Sequence, residues 1–388
     1  MLDVELFAGG GGMAVGLRAA GFYPATLYER DQQSCATLRY NLGAAKPTLI
    51  GTVNEQHIEK FLWDSSSEEV RLLAAGTPCQ PFSLGGSHKA HDDPRNLFPD
   101  LLRVARLTRP RAVLVENVRG LIRPLFRSYF EYVLRQLECP SIAPRPGERW
   151  FSHDVRIREC QVSLGYEPEY RVEYHSLDAA DFGVPQRRFR VFIVALRREF
   201  GAFDFPKPTH SRVALVASKQ TGEYWDLHEV PKRQREHVEA ALPLNGTSST
   251  VPWITVRQAL KDLPKPTNKE SNAWMNHWII DGARTYGGHS GSSLDWPSKT
   301  IKAGVHGVPG GENTLIDSTG RFRYYTLREA ARLQTFPDNH FFSGARIHVT
   351  RQIGNAVPCV LATILGRALH PLISRNPKDN YTTNANTH

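Results

Sequence analysis

Cysteine is scarce in this chain: five residues in 388, at positions 35, 79, 139, 160 and 359, odd in number, scattered and with no CxxC pair. Neither a disulfide framework nor a zinc ribbon is indicated, and the thiols are expected to be free. No run approaches the ~20 consecutive apolar residues of a membrane span. Met1-Leu2-Asp3-Val4-Glu5 lacks the basic and apolar regions of a secretory signal, so the expected location is the cytoplasm. Acidic residues are outnumbered, 39 against 48 Lys and Arg, and the net charge of +9 favours an acidic partner such as nucleic acid. No internal repeat is present. With 40% hydrophobic and 22% charged residues, the chain is neither fibrous nor broadly disordered.

What is present is an alternation. The apolar runs Leu2–Phe7, Ala25–Glu29, Val70–Ala75, Ala112–Glu116 and Phe189–Leu196 read as strands, with helical patterns at Ala14–Ala20, Asp31–Asn41 and Asn96–Leu107 between them. Such spacing predicts an α/β fold with a doubly wound, mainly parallel sheet. From about Phe200 to Arg323 the texture becomes Pro- and Gly-rich, which predicts a smaller, irregular, loop-rich region. Helical patterning resumes over Thr326–Phe336 and Val357–Leu372, with Thr326 and Glu329 placed as a capping box. The expected organisation is an α/β domain over 1–200, an interrupting domain over 201–325, a return over 326–374 and a frayed polar tail over 375–388.

Chemistry-bearing residues sit where these strands end. Phe7-Ala8-Gly9-Gly10-Gly11-Gly12 follows the first strand and opens a helix, so its backbone can approach a ligand closely. Glu29, closing the second strand, is placed to bind a ribose, and Gly9-x-Gly11-x-x-Ala14 also fits a dinucleotide fingerprint. Thr77-Pro78-Cys79-Gln80-Pro81-Phe82-Ser83 follows a buried strand, with prolines fixing the backbone on both sides of Cys79, which suits a nucleophile. His57-x-Glu59 with Pro78-Cys79 imitates a zinc-deaminase signature but fails at Phe82, where a second cysteine ligand is required. Glu116-Asn117-Val118 ends another strand, placing a carboxylate that can protonate or hydrogen-bond a ring nitrogen. Gln186-Arg187-Arg188-Phe189-Arg190 sets three guanidiniums before a strand, suited to phosphate, carbonyl or carboxylate contacts.

Taken together, this set resembles the C5-cytosine-specific DNA methyltransferase family, including bacterial type II modification and orphan enzymes. The likeness covers most of residues 1–200 and 323–372, in the family's order. It runs from Phe7-Ala8-Gly9 and Glu29 through Pro78-Cys79-Gln80 and Glu116-Asn117-Val118 to Gln186-x-Arg188-x-Arg190. It ends in Arg328-Glu329-Ala330-Ala331-Arg332-Leu333-Gln334-x-Phe336-Pro337 and Gln352-x-Gly354-Asn355-Ala356-Val357-Pro358. The resemblance implies a sheet of the S-adenosylmethionine-dependent type. It also implies that Phe7, Gly9 and Gly11 line the cofactor site, with Glu29 on the ribose and Pro78, Leu97, Asn355 and Ala356 at further pocket positions. Thr52 and Val53 stand where the family carries an acidic residue for the adenine amine, a departure that puts that contact in doubt.

The resemblance further implies that Cys79 attacks C6 of a flipped cytosine, that Glu116 holds N3 and the exocyclic amine, and that Arg188 and Arg190 support the pyrimidine carbonyl and the nucleophile loop. No metal is required, and the segment Arg328 to Pro337 is expected to be structural. Ser83 to Lys89, with Ser83 and Ser87 as candidate contacts, is placed to close over DNA. In the interrupting region, Arg284, Thr300, Lys302 and His306 are candidates for DNA contact, with His289 beside them. The implied partner is double-stranded DNA bound by a monomer near the nucleoid, with a cognate restriction endonuclease left open. A tRNA-directed member of the family, a non-catalytic DNA-binding homologue and a nicotinamide oxidoreductase are the alternatives.

Overall fold

The computed structural model describes residues 1–43, 52–54, 68–78, 82, 95–237, 249–268, 274–285, 290–304 and 313–375. They form two compact units: Met1–Ser176 with Phe189–Phe205 and Thr363–His388, and Leu177–Arg188 with Pro206–Ala362.

The first unit is built on a sheet of seven strands: β1 Leu2–Leu6, β2 Pro24–Tyr28, β3 Thr52–Asn54, β4 Val70–Gly76, β5 Ala112–Val118, β6 Tyr170–Asp178 and β7 Phe189–Arg197. Their order is β3-β2-β1-β4-β5-β7-β6. β1 pairs in parallel with β2 and β4, β2 with β3, and β4 with β5, while β7 runs antiparallel to β5 with Val118 opposite Arg190. β1, β4 and β5 are buried along nearly their whole length, as expected of a sheet covered on both faces, and this is why they read as unbroken apolar runs. The helices α1 Gly12–Ala19, α2 Gln32–Gly43, α3 Phe98–Thr108, α4 Arg127–Glu138 and α5 Trp150–Ser163 alternate with the strands. Leu73, Val113, Val115, Phe98, Leu101, Phe130 and Val133 join in one core. The sequence reading omits β3, β6, α4 and α5.

The second unit is less regular. Its elements are β8 His210–Ser211, α6 Arg212–Thr221, α7 Glu223–Leu227, β9 Val251–Pro252, α8 Val256–Leu260, β10 Thr314–Ile316, β11 Phe322–Tyr324, α9 Leu327–Leu333 and α10 Arg346–Asn355. Its apolar centre gathers Leu215, Tyr224, Trp225, Val230 and Trp253, with Trp296 against them. Lys219 is buried there, its ammonium 3.9 Å from the Trp296 ring and 5.3 Å from Tyr224 and Trp225. Burial pushes its pKa down to about 8.

The division of the chain differs from the sequence-based one. Residues 177–188 group with the second unit, as do α9 and α10, and the chain returns to the first unit at Thr363 rather than at 326. The cause lies in the contacts of α9. Thr326 and Glu329 form the capping box, and Arg323 donates twice to Glu329 at 2.7 Å. Arg328 donates to the carbonyls of Met275, Pro337 and His340, and Arg332 to that of Ala259. The final helix, α11 Cys359–Ile373, crosses from one unit to the other. The stretch Arg346–Ile373 has the length and apolar composition to cross a membrane, but Leu361, Ala362, Leu365, Leu369 and Ile373 are buried core residues. Of the expected tail, residues 376–388 lie outside the described residues. Cys35, Cys139, Cys160 and Cys359 are free thiols.

Candidate active site at the strand ends

Because β1 lies between β2 and β4, the connections leaving β1 and β4 run to opposite sides, and a crevice opens at the strands' carboxyl ends. The loop after β1 is shaped for close approach: Phe7, Gly9 and Gly11 all have positive φ, at 58°, 54° and 87°. Such a conformation at a phenylalanine is costly and marks a functional turn. At Gly9 there is nothing within 4 Å of where a Cβ would stand, so open space faces the loop.

Glu29 fastens this loop. Its Oε2 accepts the Gly9 amide and its Oε1 the amides of Arg30 and Asp31, each at 2.8 Å. A carboxylate has about four acceptor directions, so one remains for a ligand hydroxyl, and the donors and space present fit a nucleoside such as that of S-adenosylmethionine. Below the loop, Glu5 on β1 is 1% exposed. Burial pushes its carboxyl up to about 8, against the stabilising Ala14 amide and with the Glu29 charge adding to the rise. Nothing in the motif reading singles Glu5 out; its only signal is an acid inside a buried strand.

The ends of β4 and β5 meet next to this loop in the sheet. Gly76 pairs with Glu116. The Thr77 hydroxyl donates to the Glu116 carbonyl at 3.3 Å, and Asn117 Nδ2 donates to Thr77 Oγ1 at 2.7 Å. Arg190 Nε lies 2.9 Å from Glu116 Oε1, a pair almost wholly withdrawn from solvent, while its Nη1 donates to the Phe189 carbonyl. A charge-assisted contact of this kind holds the carboxylate in one orientation. Pro78, two residues beyond β4, is half-buried, and Leu97 precedes α3, its carbonyl accepting the Leu101 amide. Cys79, Ser83, Ser87, His289 and His306 lie outside the described residues, and Thr52 and Val53 are described as the backbone of β3 only.

The remaining candidates belong to the second unit. Arg188 is 1% exposed, and its guanidinium donates to the carbonyls of Ile301 and Gly354. The neighbouring Gln186 takes the Ile301 amide and donates to Leu333 and Gln334. Arg187 pairs with Asp178 and lies over the Trp253 ring at 4.6 Å. Thr300 donates to the Arg187 carbonyl at 2.7 Å, and the Lys302 backbone is bracketed by Asn313. Arg284 and Asn355 are exposed, whereas Ala356 is buried with its carbonyl held by Gln334. Sequence pattern could not separate guanidiniums that face a ligand from those that bind carbonyls of their own unit.

Among the described residues no group of three His, Cys, Asp or Glu side chains comes together.

A doubly wound sheet with one reversed strand beside β5, and a nucleoside-shaped loop over the end of β1, is the architecture of the S-adenosylmethionine-dependent methyltransferases. The family model described as C-5 cytosine-specific DNA methylase matches residues 1–139 and 162–370. The chain belongs to that family, and its reaction is transfer of a methyl group from S-adenosylmethionine to C5 of cytosine in DNA. It is 31% identical over 380 residues to the type II methyltransferase M.PspPI of Psychrobacter sp., covering 97% of this chain and 80% of that protein. With M.NgoMIV of Neisseria gonorrhoeae it shares 30% over 373 residues, covering 95% and 96%. The crystal structure of the S. pombe Dnmt2 methyltransferase shares the fold at TM-score 0.54 and 18% identity, with 96% and 99% covered.

Proposed function

We propose that Cys79 is the nucleophile of this reaction, Glu116 its acid and Arg190 the brace that orients Glu116. The observation that carries this reading is the Glu116–Arg190 pair at the end of β5, tied through Thr77 to the strand that leads into Cys79. Cytosine C5 is a weak nucleophile. Addition of the Cys79 thiolate to C6 moves the electrons of the C5=C6 bond toward C5, and Glu116, hydrogen-bonded or donating to N3, relieves the charge that develops on the ring. S-adenosylmethionine supplies an electrophilic methyl on a sulfonium. After transfer, loss of the C5 proton returns an electron pair to the ring, the C6–S bond breaks and Cys79 leaves as thiolate. None of these steps needs a metal.

Phe7, Gly9, Gly11 and Glu29 hold the cofactor's nucleoside, with Thr52, Val53, Pro78 and Leu97 at further positions of the same unit. Arg188 acts by holding the backbones of Ile301 and Gly354 rather than by touching the base. The substrate is duplex DNA with the target base rotated out of the stack, since C5 and C6 are unreachable inside it. Arg284 presents an exposed cation to phosphate, and Thr300 and Lys302 place the adjoining backbone. The protein acts as a monomer in the cytoplasm, at the nucleoid, and a cognate restriction endonuclease is left open. Sequencing of modified bases in DNA from cells expressing the protein tests the reading. 5-Methylcytosine confined to one short sequence is expected, and methyl groups on exocyclic amines or on tRNA alone contradict it.

A further inference from the structure

Gly120 follows the Glu116-Asn117-Val118 segment within a short 3-10 turn, Arg119–Ile122. A Cβ on this residue would stand 2.0 Å from the carbonyl oxygen of Phe82 and 3.1 Å from its carbonyl carbon. Real Cβ atoms do not come so close to backbone, so only glycine lets these two stretches touch. Each side is anchored by a buried side chain. Leu121 next to it is fully buried. Phe82 is also fully buried, edge-on to Phe98 at 5.8 Å and to Phe126 at 5.5 Å, and stacked with Tyr129 at 6.3 Å.

Phe82 stands three residues beyond Cys79, and Thr77 two residues before it. Thr77 is bonded to Glu116 and Asn117, and Phe82 abuts Gly120. Thr77 and Phe82, which flank Cys79 in the sequence, are therefore both tied to the single stretch, residues 116–120, that also carries Glu116. We propose that the Gly120–Phe82 backbone contact sets the position of Cys79 relative to Glu116, making Gly120 and Phe82 positioning residues for the addition step. The proposal rests on Cys79 being the nucleophile. It also gives Phe82, the position at which the zinc-deaminase pattern breaks, a role as the aromatic anchor of the loop.

The test is the rate at which full-length protein forms a covalent adduct with duplex DNA carrying 5-fluorocytosine at the target, measured beside kcat and the KM for S-adenosylmethionine and DNA. A misplacement of about 1 Å at a reacting group costs about a hundredfold. Gly120→Ala is thus expected to slow adduct formation and kcat about a hundredfold, with both KM values within about twofold of wild type. Phe82→Leu adds no atom near Gly120 and loosens the anchor, and is expected to slow the same step by about tenfold. A folded Gly120→Ala protein with the wild-type adduct rate, or one losing cofactor binding in the same proportion as the adduct rate, overturns the proposal. Should Gly120→Ala fail to fold, Phe82→Leu decides: a slower adduct supports the contact and an unchanged rate overturns it. Cys79→Ser, run alongside, separates the two assignments. Adduct formed by that variant removes the nucleophile reading itself, while its absence with normal Gly120→Ala kinetics removes only the positioning role.

Discussion

Charged side chains do different work in the two units. In the first, Glu29 accepts three backbone amides out of a carboxylate's roughly four acceptor directions, and Glu116 is met by one guanidinium at one oxygen. In the second, several buried or half-buried cations answer to their own unit, while Arg284 is exposed. Arg188 and Arg328 bind carbonyls, Arg257 clasps Asp295, Arg323 clasps Glu329, and Lys219 is enclosed by aromatic rings. A unit with short helices and two small two-stranded sheets has few ladders in which to satisfy its backbone carbonyls, and buried guanidiniums with their fan of donors do this instead. A net charge of +9 therefore overstates the cationic surface available to DNA, and chemistry is to be sought where a charged group has capacity left over.

If that contrast is right, substitutions in the two units must fail in different ways. The largest effect is expected at Glu116→Gln, which keeps the shape but weakens proton donation. The value of kcat should fall about 10²–10⁴-fold with cofactor affinity unchanged, as measured by methyl transfer and by cofactor titration. A loss of cofactor affinity instead would place Glu116 on the wrong side of the comparison. Arg328→Met should do the opposite, removing the guanidinium donor from the carbonyls of Met275 and His340 while the Pro337 carbonyl keeps the His340 amide, lowering stability by about 1–3 kcal/mol and sparing turnover per folded molecule at low temperature. Thermal melts paired with active-site titration check this.

Smaller effects sharpen the picture within the first unit. Glu29→Ala removes the carboxylate proposed to hold the ribose and should weaken cofactor binding by about 1.5–3 kcal/mol, read by calorimetry; unchanged affinity contradicts the role. Glu5 should show itself in pH dependence. Its carboxyl titrates at about 8 in the folded protein against 4.5 ordinarily, so between these values the folded state holds a proton that the unfolded state has released. That contribution is complete below pH 4.5 and is lost as pH rises through about 8. Glu5→Gln, always neutral, should melt with a flatter pH profile across this window, so parallel profiles for the two proteins would place the Glu5 titration elsewhere.

Much of the first unit was legible because a covered parallel sheet imposes two signals at once, an apolar run and a functional residue at its carboxyl end. β1, β2, β4 and β5 carry both, whereas the antiparallel β7 carries the apolar run with Arg190 at its amino end. β6 was not, since its middle residues Glu173, Tyr174, His175 and Ser176 are exposed, which removes the apolar run. α5 buries only His153, Asp154 and Ile157, too few for a helical stripe. The fate of Arg188 could not be read either, because an arginine bonded to distant carbonyls at Ile301 and Gly354 leaves no local mark. Gly120 had a mark, a glycine just after Glu116-Asn117-Val118, but its meaning needed the Phe82 carbonyl beside it.

The central claim is that one thiol, that of Cys79, adds to the base. The other cysteines offer a built-in contrast: Cys35, Cys139 and Cys359 are buried, and burial pushes the Cys139 thiol up to about 11, which keeps it unreactive. Fluorine at C5 of the target cytosine blocks the deprotonation that frees the enzyme. Wild-type protein with S-adenosylmethionine should therefore give a denaturant-stable adduct with such DNA, and peptide mapping should place the base on Cys79. An adduct on Cys35, Cys139, Cys160 or Cys359, or methylation by Cys79→Ser at a rate near wild type, would contradict the account.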